Sequence, residues 1–290
     1  MKNLFLSIGL LGLSTGVFAQ LPALKPGDVQ VSVGPQVYSA NRVGSLTEYQ
    51  NLFNGSSLLP GDFSQYSKQS FFSVSGSGSL FLGTGWYFRN KDKTAYKSNM
   101  TLRTGLTYFS SYGFNNNLIQ TSSTPYDTLK GSNGTMYPVD STYNHSISFG
   151  SQSQNLVLDV AMIFRTTSAK RFSLYGGLGV QAGASFNRIA TLRSDEYSYL
   201  SFADNSGFLR SNSNDYHGKS ETKELKSSLV MGFYVPLGMD LQLGKKREFW
   251  KQLHVFGEMR PGMMVTGRVS NGYAVNPGMS FQLGVKVKFL

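Results

Sequence analysis

The chain has 290 residues and a formal net charge of +11, with 15% charged residues, 13% aromatic residues and 32 glycines. It contains no cysteine, which excludes disulfides, thiolate metal sites and a lipid-modified N-terminal cysteine. The share of charged residues is well below the ~25% of an average globular protein, which disfavours an ordinary soluble enzyme.

The first 19 residues have the parts of a secretory signal peptide. Lys2 supplies the positive charge, an apolar stretch runs from Leu4 to Val17, and Val17 and Ala19 fit the small-residue cleavage rule. The apolar run is shorter than the ~20 residues of a spanning helix, so a signal peptide is favoured over a membrane anchor. We expect the mature chain to begin at Gln20 with a short periplasmic lead-in over residues 20–27.

Beyond the lead-in, apolar and polar residues alternate in eight segments, and a period of two is the period of a β-strand. The predicted strands cover about residues 28–38, 69–88, 99–111, 145–165, 171–189, 222–243, 253–268 and 275–290. Three long polar segments separate some of them, at about residues 39–67, 112–144 and 190–221. The other connections are short turns, at about residues 89–98, 166–170, 244–252 and 270–272.

The last strand has the clearest pattern. Every second position from Val275 to Phe289 is apolar, whereas the residues between are polar, charged or glycine. Strands of globular proteins usually last about 3–10 residues, so this run is long for a soluble sheet. One apolar face along the whole strand favours lipid on one side and a small polar interior on the other.

Loop length follows the order of the strands, because long and short connections alternate until the last hairpin. Outer-membrane barrels have short periplasmic turns and long external loops, with an even number of strands. The sequence therefore predicts an all-β fold, an eight-stranded antiparallel up-and-down transmembrane barrel over residues 28–290, located in the cell outer membrane.

In signal peptide, loop pattern and terminal strand, the chain resembles the eight-stranded outer-membrane barrels of the OmpA and OmpX type and the related β-barrel domain families common in Bacteroidota. The resemblance implies outer-membrane lipids and lipopolysaccharide as surroundings, and the barrel-assembly machinery as a partner during insertion. Families of this kind commonly end in an aromatic residue, whereas here Phe289 is penultimate and Leu290 is last.

The positive charge is concentrated in the three short turns. These contain Arg89, Lys91, Lys93 and Lys97, then Lys170 and Arg171, just after Arg165, then Lys245, Lys246, Arg247 and Lys251. A nucleic-acid protein should instead gather its charge on one face with stacking aromatic residues. We expect solvated caps at the periplasmic end and no nucleic-acid partner.

Charged residues in the inward register predict an ion-pair network inside the barrel. They are Arg103, Asp159, Asp240, Glu258, Arg260 and Lys286. Buried charges persist when they are paired, and an eight-stranded barrel is just wide enough for side chains to fill. We expect Glu258 and Asp240 to be partners of the cations, with inward glycines leaving room for long side chains. The alternative is that these groups line a watery pore.

The three histidines, His145, His217 and His254, include no pair at metal-ligand spacing, so we expect no metal, no cofactor and no enzyme activity. The favoured function is a structural or surface-interaction role through the long loops, with a possible surface or envelope protein partner. The alternatives are a small-solute channel or transporter and a membrane-embedded hydrolase acting on lipid A or peptides, for which His145 and His217 would be the candidates.

Overall fold

The computed structural model describes residues 24–39, 45–68, 74–89, 96–131, 134–166, 171–203, 209–244 and 246–289. The predicted signal peptide, the start of the lead-in, Leu290 and the turn residues Lys91, Lys93, Lys170 and Lys245 lie outside these ranges.

Eleven strands and two short helices make up the described chain. They are β1 (Leu24–Ser39), α1 (Leu46–Leu52), β2 (Ser67–Lys68), β3 (Val74–Arg89), β4 (Tyr96–Lys130), β5 (Met136–Arg165), β6 (Phe172–Ala203), β7 (Leu209–Leu225), β8 (Ser228–Tyr234), β9 (Leu237–Gln242), α2 (Glu248–Gln252), β10 (Leu253–Gly267) and β11 (Tyr273–Lys288). In the part of the chain described, neither helix is long and apolar enough to cross a bilayer.

The strands form a closed antiparallel ring with eight positions. Each position is called a stave, because one of them consists of three shorter strands and the other seven of one strand each. The staves are β1, β3, β4, β5, β6, a composite of β7, β8 and β9 that follows β6, then β10 and β11. β11 pairs with β10 on one side and with β1 on the other, where Val31 faces Val285 and Asp28 faces Lys288. The predicted eight-stranded transmembrane barrel is confirmed, with the sixth predicted strand divided into three.

The outward face of the ring is apolar where it crosses the membrane. On β11 every second side chain from Val275 to Val287, including that of Pro277, is exposed and apolar. This run is roughly 40 Å long at ~3.3 Å per residue, and roughly 28 Å tall at a strand tilt of ~45°. Its height matches the apolar band of an outer-membrane barrel.

The strands extend beyond the predicted boundaries. β1 begins at Leu24, inside the predicted lead-in. The polar segments at 112–144 and 190–221 are strand for most of their length, because β4 pairs with β5 out to Lys130 and β6 pairs with β7 out to Ala203. These extensions are rich in Ser, Thr, Asn and Tyr and pair with one another in water. Apolar and polar residues do not alternate regularly along them. The resulting four-stranded layer outside the membrane, from β4 to β7, is called the external sheet below.

We predict that Leu283→Arg destabilises the barrel by about 2–4 kcal/mol, as expected for an arginine facing lipid near the bilayer midplane. Leu283 is 64% exposed on the lipid face of β11. Leu129→Arg is the matched control, because Leu129 is 44% exposed at the far end of the external sheet, where it meets water. Denaturant unfolding in phospholipid vesicles measures both. Equal effects of the two substitutions would contradict the lipid-facing assignment.

Candidate functional site

At the centre of the lumen, the carboxylate of Glu258 accepts hydrogen bonds from two arginines. Arg103 donates from Nη1 to Glu258 Oε2 at 2.6 Å and from Nη2 to Glu258 Oε1 at 2.9 Å. Arg260 donates from Nε to Glu258 Oε1. All three side chains are almost fully buried. Because β4 and β10 are not neighbours in the ring, the pair of Arg103 with Glu258 bridges the lumen from wall to wall.

A second carboxylate completes a neutral quartet with these groups. Asp159 accepts from Gln181 Nε2 at 2.7 Å, from the Tyr234 hydroxyl at 2.5 Å and from Arg260 Nη1 at 3.3 Å. Tyr234 also accepts from Arg103 Nη2 at 3.1 Å. Two arginines and two carboxylates thus balance in charge, and such charge-assisted hydrogen bonds are the strong ones.

A separate cluster closes the lumen near the periplasmic turns. Asp240 accepts from Arg165 Nη1 at 2.7 Å and is bonded to His254 Nδ1 at 2.7 Å and to Lys286 Nζ. The guanidinium of Arg165, the last residue of its predicted strand, enters the lumen, a position that was not assigned to it from the sequence. The register contained the signal, since Arg165 has the same parity along β5 as inward-facing Asp159.

The six predicted charged residues therefore lie in two groups. The central one holds Arg103, Asp159, Glu258 and Arg260, and the periplasmic one holds Asp240 and Lys286. Sequence reasoning did not assign Tyr234, Gln181 or His254 to these groups. Tyr and Gln are ordinary in such strands, and their roles depend on which stave lies across the lumen.

The inward glycines make room mainly for aromatic rings, which corrects the expectation that they accommodate charged side chains. A Cβ on Gly179 would lie 2.3 Å from Cζ of Tyr234, and one on Gly284 would lie 2.5 Å from Cζ of Phe256. The Phe81 ring fills the space beside Gly83 and lies under the guanidinium groups of Arg103 and Arg260, at 5.3 and 5.2 Å. The rings and the cations therefore stack in one layer.

Apolar layers lie on the external side of the quartet. Phe109, Val157, Val230 and Met264 form a buried cluster there, against which Tyr38 packs. The expectation of a simply polar interior was therefore incomplete. Val157 has the inward parity of Asp159 along β5 and is part of this layer.

The external mouth is covered by α1, which lies in a segment predicted only as polar. Tyr49 and Phe53 are fully buried against the inner side of the external sheet. The cluster also contains Leu118, Ile147, Phe149, Ala190, Leu192 and Val269. A capping box begins the helix, with Ser45 and Glu48 each bonding the other's backbone N–H. This Ser-x-x-Glu pattern is a recognisable start signal, and it could have predicted the helix.

Glu48 also connects this helix to the last external hairpin. It accepts from Arg268 Nη2 at 3.1 Å and from the Ser270 hydroxyl. From the other side, Lys223 Nζ donates to the carbonyl oxygen of Leu52 at 2.8 Å. The helix is therefore held by contacts from two different hairpins.

His145 bonds residues that are distant in sequence. Its Nδ1 lies 2.5 Å from the Tyr66 hydroxyl and its Nε2 lies 2.8 Å from Ser194 Oγ. His217 is exposed on β7. Within the described ranges, no cluster of three or more His, Asp or Glu residues could hold a metal ion.

No family model matches the chain, and the search among curated proteins found no match. Among solved structures, Neisserial surface protein A is 11% identical, with a TM-score of 0.34, and the match covers 92% of this chain and 99% of that one. The attachment invasion locus protein of Yersinia pestis is 12% identical, with a TM-score of 0.25, covering 91% of this chain and 100% of that one. The β domain of the Bordetella autotransporter BrkA is 12% identical, with a TM-score of 0.26, covering 92% and 100%.

With TM-scores this low, the location of the chain in a membrane is inferred from its own geometry. A closed antiparallel ring satisfies its backbone groups internally, and its outward face carries an apolar belt of bilayer height. The chain is an integral β-barrel of the outer membrane.

We predict that Glu258→Gln destabilises the barrel by about 3–5 kcal/mol, because it leaves two buried arginines with one carboxylate. Glu221→Gln is the control, since Glu221 is partly exposed and lies 4.0 Å from Lys223. An exposed pair of this kind contributes no more than about 1 kcal/mol. Denaturant unfolding at neutral pH measures both, and similar small losses would contradict a tightly paired lumen.

We predict that α1 loosens at acid pH. Burial raises the pKa of Glu48, but hydrogen bonds from Ser270, from the backbone N–H of Ser45 and from Arg268 outweigh it and lower the pKa below the usual 4.5. Its contribution to stability is complete above that value and is lost as pH falls through the lowered pKa. Amide hydrogen exchange of α1 against pH measures the loss. Glu48→Gln should remove the pH dependence, and its persistence in that variant would contradict the assignment.

Proposed function

We propose that the chain is a non-enzymatic outer-membrane protein with a sealed lumen, which makes contacts at the cell surface through its external sheet. The observation that supports this most directly is the filling of the lumen. The periplasmic charge cluster, the central quartet, the apolar layer around Val157 and the cluster beneath α1 follow one another along the barrel axis.

The external sheet supplies the proposed contact surface. Its strands project aromatic and apolar side chains into water, among them Tyr126, Leu129, Met136, Tyr143 and Tyr216. Tyrosine is an amphipathic contact residue with few rotatable bonds, and it is enriched on binding surfaces. A rigid layer with such residues is suited to a surface or envelope protein partner, while lipids and lipopolysaccharide surround the belt.

The alternatives have less support. A small-solute channel or transporter needs a passage, and the ion pairs bridge the lumen where the passage would run. A hydrolase needs a general base oriented for a nucleophile. His145 does contact Ser194, but its other nitrogen is held by a tyrosine hydroxyl, and Ser194 is buried in the wall. Neither arrangement favours transport or hydrolysis over a contact function.

We further propose membership of the outer-membrane β-barrel domain families common in Bacteroidota. The support is the alternation of long external segments with short periplasmic turns, together with the terminal strand. The barrel-assembly machinery would insert such a chain, with Phe289 as the aromatic residue it reads.

We predict that the purified protein gives no large, stable open channels in planar bilayers, because charged and apolar layers fill its lumen. The measurement is single-channel conductance at neutral pH. Stable openings in the wild type would contradict the sealed lumen and favour the channel alternative.

The contact function is tested by co-purification from gently solubilised membranes. Residues 122–143 are replaced by an Asn-Gly turn, which joins Thr121 to its cross-strand neighbour Asn144 and leaves the α1 cluster intact. We expect a partner to accompany the full chain and to be lost with the trimmed chain. The control is heat-modifiable migration of both proteins, which reports a folded barrel. A partner retained equally by both chains would contradict the external sheet as the contact surface.

A further inference from the structure

A polar groove lies on the outside of the wall, where the strand ladder is irregular. The pairing of β5 with β6 shifts register between Gln152 and Gln154, where β6 has one residue more than β5, and Asn187 at this point of β6 has a positive φ of 47°. β6 pairs with the composite stave at Arg188 and Leu225, and again at Ser185 and Ser228. The residues between these two pairs lie outside the ladder. A groove of about 620 Å³ lies at these irregularities and is lined by residues of four neighbouring staves.

The groove opens outward rather than into the lumen. Several lining residues are exposed: Ser110, Tyr112, Gln152, Asn187, Glu224 and Ser227. The lumen at the adjacent levels is filled by the apolar layer around Val157 on one side and by the cluster beneath α1 on the other. A ligand would therefore enter from the surroundings of the barrel.

The chemistry of the lining is that of neutral hydrogen bonding. Serine hydroxyls and the amides of Gln152, Gln154 and Asn187 predominate, and Asn187 Nδ2 donates to Gln154 Oε1 at 2.9 Å. Among the described lining residues the one cation is Arg188, which donates to the carbonyl oxygens of Lys226, Gly267 and Arg268 at 2.7–2.8 Å. Glu224 adds a carboxylate, so the lining does not favour phosphate or another anion.

The groove also lies at a defined depth. On the same staves, the next lipid-facing residues toward the middle of the membrane are Tyr108, Leu156 and Leu229. All three are exposed and apolar or aromatic. The groove thus begins where the apolar belt ends on the external side, at the level of the headgroups of the outer leaflet. Tyr112, 52% exposed, offers an aromatic face beside the amides.

We propose that this groove binds a neutral saccharide ring. Hydroxyls and amides match the alternating donors and acceptors of a sugar, an aromatic face matches its C–H surface, and the volume is that of a small-molecule site. The sugar is either part of a lipid headgroup in the outer leaflet or a free oligosaccharide. This site lies at the base of the external sheet and does not include residues 122–143, which the co-purification test removes, so it can fail without affecting the proposed contact function.

The test uses the full mature chain folded in lauryldimethylamine oxide, a detergent without sugar, with maltose and dodecyl maltoside as separate probes. Amide chemical shifts of the backbone and of the Gln152, Gln154 and Asn187 side chains are followed during titration. We expect saturable shifts confined to the groove. Saturation by maltose as well as by dodecyl maltoside indicates a free sugar, whereas saturation by the maltoside alone indicates a lipid-borne one.

The variants form a matched pair. Tyr112→Ala should weaken binding by about tenfold, as expected for the loss of one aromatic contact. Tyr273→Ala should leave it unchanged, because Tyr273 is 55% exposed on β11, away from the groove. Shifts spread around the belt, equal effects of the two substitutions, or saturation by inorganic phosphate instead of the sugars would each overturn the proposal.

Discussion

The ladder between β1 and β11 is the interaction on which the rest of the structure depends. Hydrocarbon offers no hydrogen-bond partner to a peptide group, so a sheet in a bilayer has to pair its first strand with its last. Nine residue pairs between Asp28 and Tyr38 on β1 and their partners on β11 make this connection. Once the ring is closed, its outward face meets lipid and its inward face is enclosed, and every side chain is sorted to one of the two.

Enclosure explains the composition of the lumen. A charge inside a narrow ring cannot reach bulk water, so each has to meet an opposite charge or a hydrogen-bond donor. Arg103 and Glu258 meet across the lumen from staves that are not neighbours, and Asp240 bonds Arg165, His254 and Lys286 from three other staves. The pair of Arg103 with Glu258 connects opposite walls of the ring. Aromatic rings beside glycines fill the volume that the charges leave.

The fold was largely predictable because two of its patterns are local. Alternation along β11 and the order of long and short connections depend on neighbouring residues, and both were readable. The inward parity of Arg103, Asp159 and Glu258 followed from the same alternation. The parts that were missed depend on distance in space: Tyr234 joins the quartet from another stave, and Tyr66 reaches His145 from the first long segment. The outer part of the external sheet was missed because, beyond the cluster beneath α1, both of its faces carry mainly polar residues and little alternation marked its strands.

The continuity of β5 and β6 has a mechanical consequence. Their pairing runs from Arg165 and Tyr175 at the periplasmic end to Val139 and Phe202 far outside the membrane, with one bulge between. The segment of β4 from Tyr112 to Lys130 is roughly 60 Å long at ~3.3 Å per residue. The tip near Gly134 is therefore connected to the barrel by continuous paired strands. A force applied at the tip is transmitted along these hydrogen-bonded strands to the membrane-spanning part of the barrel, and not taken up by the extension of a flexible loop.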